Sequence, residues 1–149
     1  MKFSNKNGDY LQIDIENYEF PELDPWEYEE NDANWLDIHI RAKDAKYQWD
    51  AIAPCLLTWE AENLLYFLGE AIEGATEPRV YFESGNLHFQ ARQREDGICI
   101  LRCGLWLDLH PYDDSDLLEP YYLEFPIDRD DLAKEATDFA VQLAAYPKR

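Results

Sequence analysis

The sequence predicts an α+β fold: a single domain, residues 1–149, with a curved antiparallel β-sheet of about seven strands and two packed α-helices. Three observations carry this. Alternating apolar and polar residues recur in short runs, the signature of half-buried strands. Two longer stretches show apolar residues at helical spacing. The strand runs are joined by tight turn signals rather than by repeated strand–helix units, which favours antiparallel pairing.

The clearest element is the helix expected over 58–74. Thr58 reads as its N-cap, because a hydroxyl there can accept from a free amide of the first turn. Glu60 and Glu62 suit the positive end of the helix dipole. Gly74 suits a left-handed C-terminal cap. Ala61, Leu64, Leu65, Leu68, Ala71 and Ile72 form one stripe about 120° wide, expected to face the core. The opposite face presents Glu62, Tyr66, Glu70 and Glu73, with Trp59 close to Tyr66. Large aromatics among acids either lie under another element or await a partner.

In chain order, 10–16 is a strand with Leu11, Ile13 and Ile15 on one face. Residues 17–33 form a long acidic connection in which Pro21 and Pro25 oppose regular structure. Its length points to function, since structureless loops of this size are uncommon otherwise. Strands follow at 34–41 (Leu36, Ile38, Ile40) and 46–53 (Tyr47, Trp49, Ala51), paired as a hairpin. After the helix come strands at 79–83 and 87–93 around Ser84-Gly85-Asn86, then 98–109, in which Gly104 suggests a bulge. Residues 110–120 are a second acidic loop, and 121–125 a last strand. A final helix opens near Asp128 with the stripe Leu132, Ala136, Phe139, Leu143 and Tyr146, stopped by Pro147.

The chain carries 32 acidic against 13 basic residues, a formal charge of −19. Eleven acids and no Lys or Arg lie between Lys6 and Arg41. Such a field repels nucleic acid and steers basic partners. No run of 18 apolar residues is present, so no membrane span is expected. The N-terminal stretch lacks the apolar segment of a signal peptide, which reads as a cytoplasmic protein. Cys55, Cys99 and Cys103 read as reduced thiols without metal or disulfide.

Catalytic signatures are sparse. There is no G-x-G-x-x-G or Walker lysine motif, no G-x-S-x-G elbow and no H-E-x-x-H. Cys99 and Cys103, about 13 Å apart if both lie on one strand, do not suit a shared zinc. His39, His88 and His110 stand alone. An enzyme or ligand-binding reading rests on a pocket between His110 and Asp116, with Asp113 and Asp114. In so acidic a chain, some carboxylate pair will meet any required spacing by chance.

A resemblance goes further. Asn34-Trp35-Leu36, Trp49, Pro54-Cys55-Leu56-Leu57-Thr58-Trp59-Glu60 with Leu64 and Leu68, Phe82-Glu83, Asn86-Leu87-His88-Phe89 and Tyr146-Pro147 resemble the WapI-type immunity proteins. The resemblance implies a small cytoplasmic protein that binds and neutralises a toxin domain secreted by its own kind of cell. For the founding member the toxin acts on transfer RNA. It implies no catalytic residues and no cofactor, and the toxin need not be a nuclease. Charge and resemblance together point to a cognate toxin, basic in character, as partner. Two patches join acids to aromatics, the combination expected of a docking surface. One is Trp26, Glu27, Tyr28, Glu29, Glu30 and Asp32 in the long loop, the preferred site. The other is Glu62, Tyr66, Glu70 and Glu73 on the helix.

Overall fold

The computed structural model describes residues 1–22, 31–112 and 119–149. Among the described residues, eight strands form two four-stranded antiparallel sheets rather than one seven-stranded sheet. The first sheet is a meander of β1 (Lys2–Ser4), β2 (Tyr10–Tyr18), β3 (Trp35–Lys43) and β4 (Gln48–Leu57). The second is a meander of β5 (Arg79–Tyr81), β6 (Leu87–Gln93), β7 (Cys99–Leu105) and β8 (Tyr121–Ile127). Helix α1 (Thr58–Glu73) links them, and α2 (Arg129–Leu143) follows β8 and packs on α1. The β-hairpins confirm the antiparallel pairing expected from the turns. The break into two sheets falls where α1 is inserted.

The alternation in the sequence is obeyed closely. Leu11, Ile13 and Ile15 of β2 pair with Ala42, Ile40 and Ile38 of β3, and all six are buried. In the second sheet Leu87, Phe89 and Ala91 pair with Leu105, Cys103 and Leu101 on the core face. Both inner faces, α1 and α2 contribute to one continuous apolar core, where the rings of Phe3 and Phe125 bring β1 and β8 together at 6.2 Å. Burying this area removes apolar surface from water, the main favourable term in folding.

Helix α1 buries Ala61, Leu64, Phe67, Leu68 and Ala71, with Leu65 and Ile72 packed at the margin. The apolar stripe is therefore rotated slightly toward Phe67. Gly74 ends the helix in the left-handed conformation (φ 88°), as expected from its position. Thr58 is not the cap. The helix begins at Thr58 itself, after an extended Leu57, and Glu60 reaches back to accept the Leu57 amide at 3.0 Å. In α2, Asp128 is the N-cap and its carboxylate accepts from the Asp131 amide.

Gly104 does not mark a bulge. Both ladders run through it without a register shift, while the irregularities lie at Ile15/Asn17 in β2 and opposite Leu36/Asp37 in β4. The three cysteines are free and buried, and burial pushes the Cys55, Cys99 and Cys103 thiols up.

Candidate functional site

The outer face of α1 carries four side chains of interest. Glu62 and Glu73 are exposed, Glu70 is half-buried, and Tyr66 is 71% exposed. Trp59 does not join them in solvent. It is half-buried, with the Lys148 ammonium 5.1 Å from its ring centroid. Glu60 is turned inward, where its second oxygen accepts the Glu83 amide at 2.7 Å and ties α1 to the second sheet. The acids of α1 thus divide into one that builds the fold and three that face outward.

Of the preferred loop patch, Trp26, Glu27, Tyr28, Glu29 and Glu30 lie outside the described residues. Asp32 opens a short 3-10 turn (Asp32–Asn34) and is half-buried. Burial raises the Glu19 carboxyl above its ordinary value, and Asp37 and Asp32 raise it further, so three acids crowd one spot. The turn leads into Asn34, whose buried amide joins distant parts of the chain. Its Oδ1 accepts from Thr58 Oγ1 at 3.0 Å and from the Arg149 amide at 2.8 Å, and its Nδ2 donates to the Arg149 carbonyl at 3.0 Å. Tyr18 donates its phenol to the Pro147 carbonyl, with the Arg149 guanidinium 4.7 Å above its ring.

The surface that sequence reasoning missed is the outer face of the second sheet. Cross-strand register places Tyr81, His88, Gly104 and Tyr122 in one row. A Cβ on Gly104 would lie 2.0 Å from His88 Cε1, so the glycine is the floor on which the imidazole rests. His88 stacks on Tyr81 (5.2 Å, 20°) and meets Tyr122 edge-on (5.5 Å). Tyr81 remains 60% exposed and Tyr122 39%. The next row is Arg79, Gln90, Arg102 and Glu124. The Arg102 guanidinium lies 3.7 Å from the Tyr122 ring centroid. Its Nε is 3.8 Å from Glu124 Oε1, too long for a hydrogen bond. Among the described residues, Arg102 Nε is the one buried side-chain nitrogen or oxygen atom with no hydrogen-bond partner. A shallow cavity of about 110 Å³ opens beside it, lined by Glu77, Arg79, Gln90, Arg92, Arg102 and Glu124 among others. Burial, with Arg102 adding to it, lowers the His88 pKa, which keeps the ring neutral against the cation.

Asn86 holds one end of this face. It accepts the Trp106 amide on its carbonyl (2.8 Å) and the Asp108 amide on Oδ1 (3.2 Å). Between them Leu107 is exposed and held at φ 48°, a left-handed conformation costing about 1–3 kcal/mol in a non-glycine residue.

The outer face of the first sheet is also charged but closed on itself. His39 is buried between Glu16 (2.6 Å to Nδ1) and Asp50 (2.7 Å to Nε2). Burial disfavours the imidazolium, but the hydrogen bonds to Asp50 and Glu16 outweigh it and raise the pKa. Arg41 donates to Asp14 at 2.7 Å.

Around the expected pocket, Asp113, Asp114 and Asp116 lie outside the described residues. His110 is packed rather than open: it stacks on Tyr112 (5.4 Å, 28°), meets Tyr121 edge-on, and accepts the Tyr112 amide on Nδ1 at 3.1 Å. Burial lowers its pKa. Among the described residues, no three His, Cys, Asp or Glu side chains are arranged to hold a metal.

An antiparallel α+β domain with a Glu–Tyr helix face and a Tyr–Arg sheet face has the surface chemistry of a protein-binding module. The chain belongs to the WapI-like immunity protein family, whose model matches residues 2–147. Membership gives it an immunity-protein role and, with that role, a cognate toxin to bind. No curated protein matches it. The residues that carry the resemblance prove to be scaffold: Asn34 and Thr58 bond to each other, Glu60 ties Leu57 to Glu83, and Asn86 anchors the chain after β7. No helix among the described residues is long and apolar enough to cross a membrane.

Proposed function

We propose that this chain neutralises a secreted toxin domain by binding it one to one in the cytoplasm, without chemistry of its own. The observation that carries the reading is the family match over 2–147. The charge supports the partner's character. A formal −19, the outward Glu62, Glu70 and Glu73, and the crowding of Glu19, Asp32 and Asp37 all favour a basic toxin surface. A nuclease fits that description, since an enzyme that handles phosphates presents basic groups to them.

In this reading the acids act chiefly before contact. Rim charges raise the association rate and make it salt-dependent, while desolvated anchors set the dissociation rate. Glu62, Glu70, Glu73 and Asp32 are steering groups, as are Glu27, Glu29 and Glu30 of the loop, while Trp26 and Tyr28 are its aromatic anchors. Tyr66 is the one large aromatic on the α1 face.

The test begins with the protein that co-purifies from the producing cells, expressed as an isolated toxin domain. Cells making that domain should grow when this chain is co-expressed and die when it is not. Failure of protection by a folded, abundant chain would reject the immunity reading. Protection lost when an intact His110 is replaced by Ala, with toxin binding unchanged, would favour the pocket reading instead.

A further inference from the structure

We propose that the outer face of the second sheet anchors the toxin, and that the toxin presents a carboxylate-bearing segment to Arg92 and Arg102 there. This rests on the immunity reading for the identity of the partner. It goes beyond that reading in naming the surface and the chemistry that meets it.

Sign of charge sets this face apart from the acidic surface of the chain as a whole. The chain as a whole is formally −19, yet three arginines (Arg79, Arg92, Arg102) meet two glutamates (Glu77, Glu124) around the cavity, 3 − 2 = +1. A local inversion of sign is complementary to an acidic group, not to the basic surface that the rest of the chain attracts. Anionic nucleic acid and lipid are poor occupants, because the field around the patch repels any polyanion. A few carboxylates on an otherwise basic protein meet no such barrier.

The donors are already aimed. The Arg102 guanidinium carbon lies 3.7 Å from the Tyr122 ring centroid, a contact that restrains the side chain. Its Nε is buried without a hydrogen bond and faces Glu124 Oε1 at 3.8 Å, so it is the exposed remainder of the side chain, 41% of its surface, that can meet an incoming group. A guanidinium so restrained presents the fork that a carboxylate accepts in bidentate fashion. Arg92 is exposed across the same cavity and has no ion pair among the described residues. The cavity, about 110 Å³, has room for a carboxylate. The surroundings suit the centre of an interface, where Tyr and Arg are enriched and Lys, Glu and Asp depleted. Tyr81 and Tyr122 are exposed, rigidly held by the His88 stack, and lose little freedom on binding.

The experiment measures binding of the toxin domain to the wild-type chain, to Arg92→Ala, to Arg102→Ala and to Arg92→Glu/Arg102→Glu, with melting temperature confirming that each is folded. Wild type should bind tightly. The double reversal should weaken binding about 30-fold or more, mainly through the off-rate, as loss of a desolvated charged contact does. Arg92→Ala, at an exposed position, should weaken it measurably with no change in melting. A toxin Asp or Glu should then be found whose replacement by Ala costs wild type as much as Arg102→Ala does and costs Arg102→Ala nothing more. No binding by wild type would defeat the immunity reading and this proposal together. Tight binding by wild type and equally tight binding by the double reversal would overturn this proposal alone. So would a stable dimer of the free chain closed through Tyr122, because the face would then already be covered.

Discussion

The outer faces of the two sheets are built from similar residues and behave in opposite ways. On the first sheet the central charges meet internal partners: His39 between Glu16 and Asp50, and Arg41 on Asp14. Helix α2 closes the edge, where Gln142 accepts the Ile15 amide at 3.0 Å. On the second sheet Arg102 keeps a buried nitrogen without a hydrogen bond, Arg92 faces solvent, and two tyrosines stand open. A satisfied network adds rigidity and leaves little to offer a partner. An unsatisfied one keeps its donors for something outside the chain. The two histidines record the same contrast, since His39 is raised by its carboxylates and His88 is lowered by burial and Arg102.

Breaking the common core should affect both faces alike and sets the scale. Leu68→Ala in α1, fully buried, should cost about 2–5 kcal/mol in denaturant unfolding. Gly104→Ala should separate the faces. The new methyl displaces the His88 ring and should cost about 1–3 kcal/mol. It should also abolish toxin anchoring while leaving the His39 network untouched. Gly69→Ala, where the added Cβ meets nothing within 4 Å, should instead stabilise α1 by about 0.5–1 kcal/mol.

The pH profile sharpens the comparison. The stabilisation from protonated His39 is complete below the ordinary histidine value of about 6.5 and is lost as pH rises through its higher folded value. The stabilisation from neutral His88 is complete above about 6.5 and is lost as pH falls through its lower folded value. Melting curves of His39→Gln should therefore lose sensitivity on the alkaline side of 6.5, and those of His88→Gln on the acid side. Identical profiles for the two variants would show that the faces are not distinct. The smallest expected effect is Arg41→Ala, within about 1 kcal/mol, because an exposed ion pair contributes little.

Much of the fold was legible because burial here follows strict alternation. Ile13, Ile38 and Phe89 face inward as their spacing requires. Strand β1 was not legible, since three residues carry no periodicity. Nor was the division into two sheets, which depends on where the chain crosses after α1. Thr58 shows how a local rule yields to tertiary context: its hydroxyl donates to Asn34 instead of capping the helix. The α1 acids were readable as an outward face because they lie within one helix. The second-sheet face was not, because Tyr81, His88, Gly104 and Tyr122 come from four strands and only the register brings them together. The signal in the sequence is Gly104 itself, whose role is to seat an imidazole rather than to mark a bulge.

The central claim is stoichiometric neutralisation, and the most direct measurement is a titration of toxin activity with this chain. With the toxin domain at a concentration far above the dissociation constant, activity should fall in a straight line and vanish at one equivalent. Arg92→Glu/Arg102→Glu should turn that line into a shallow curve, while Glu62→Lys/Glu70→Lys/Glu73→Lys should keep the one-to-one end point and slow its approach. Loss of activity at well below one equivalent, continuing with time, would mean that the chain destroys its partner by turnover and would contradict the account.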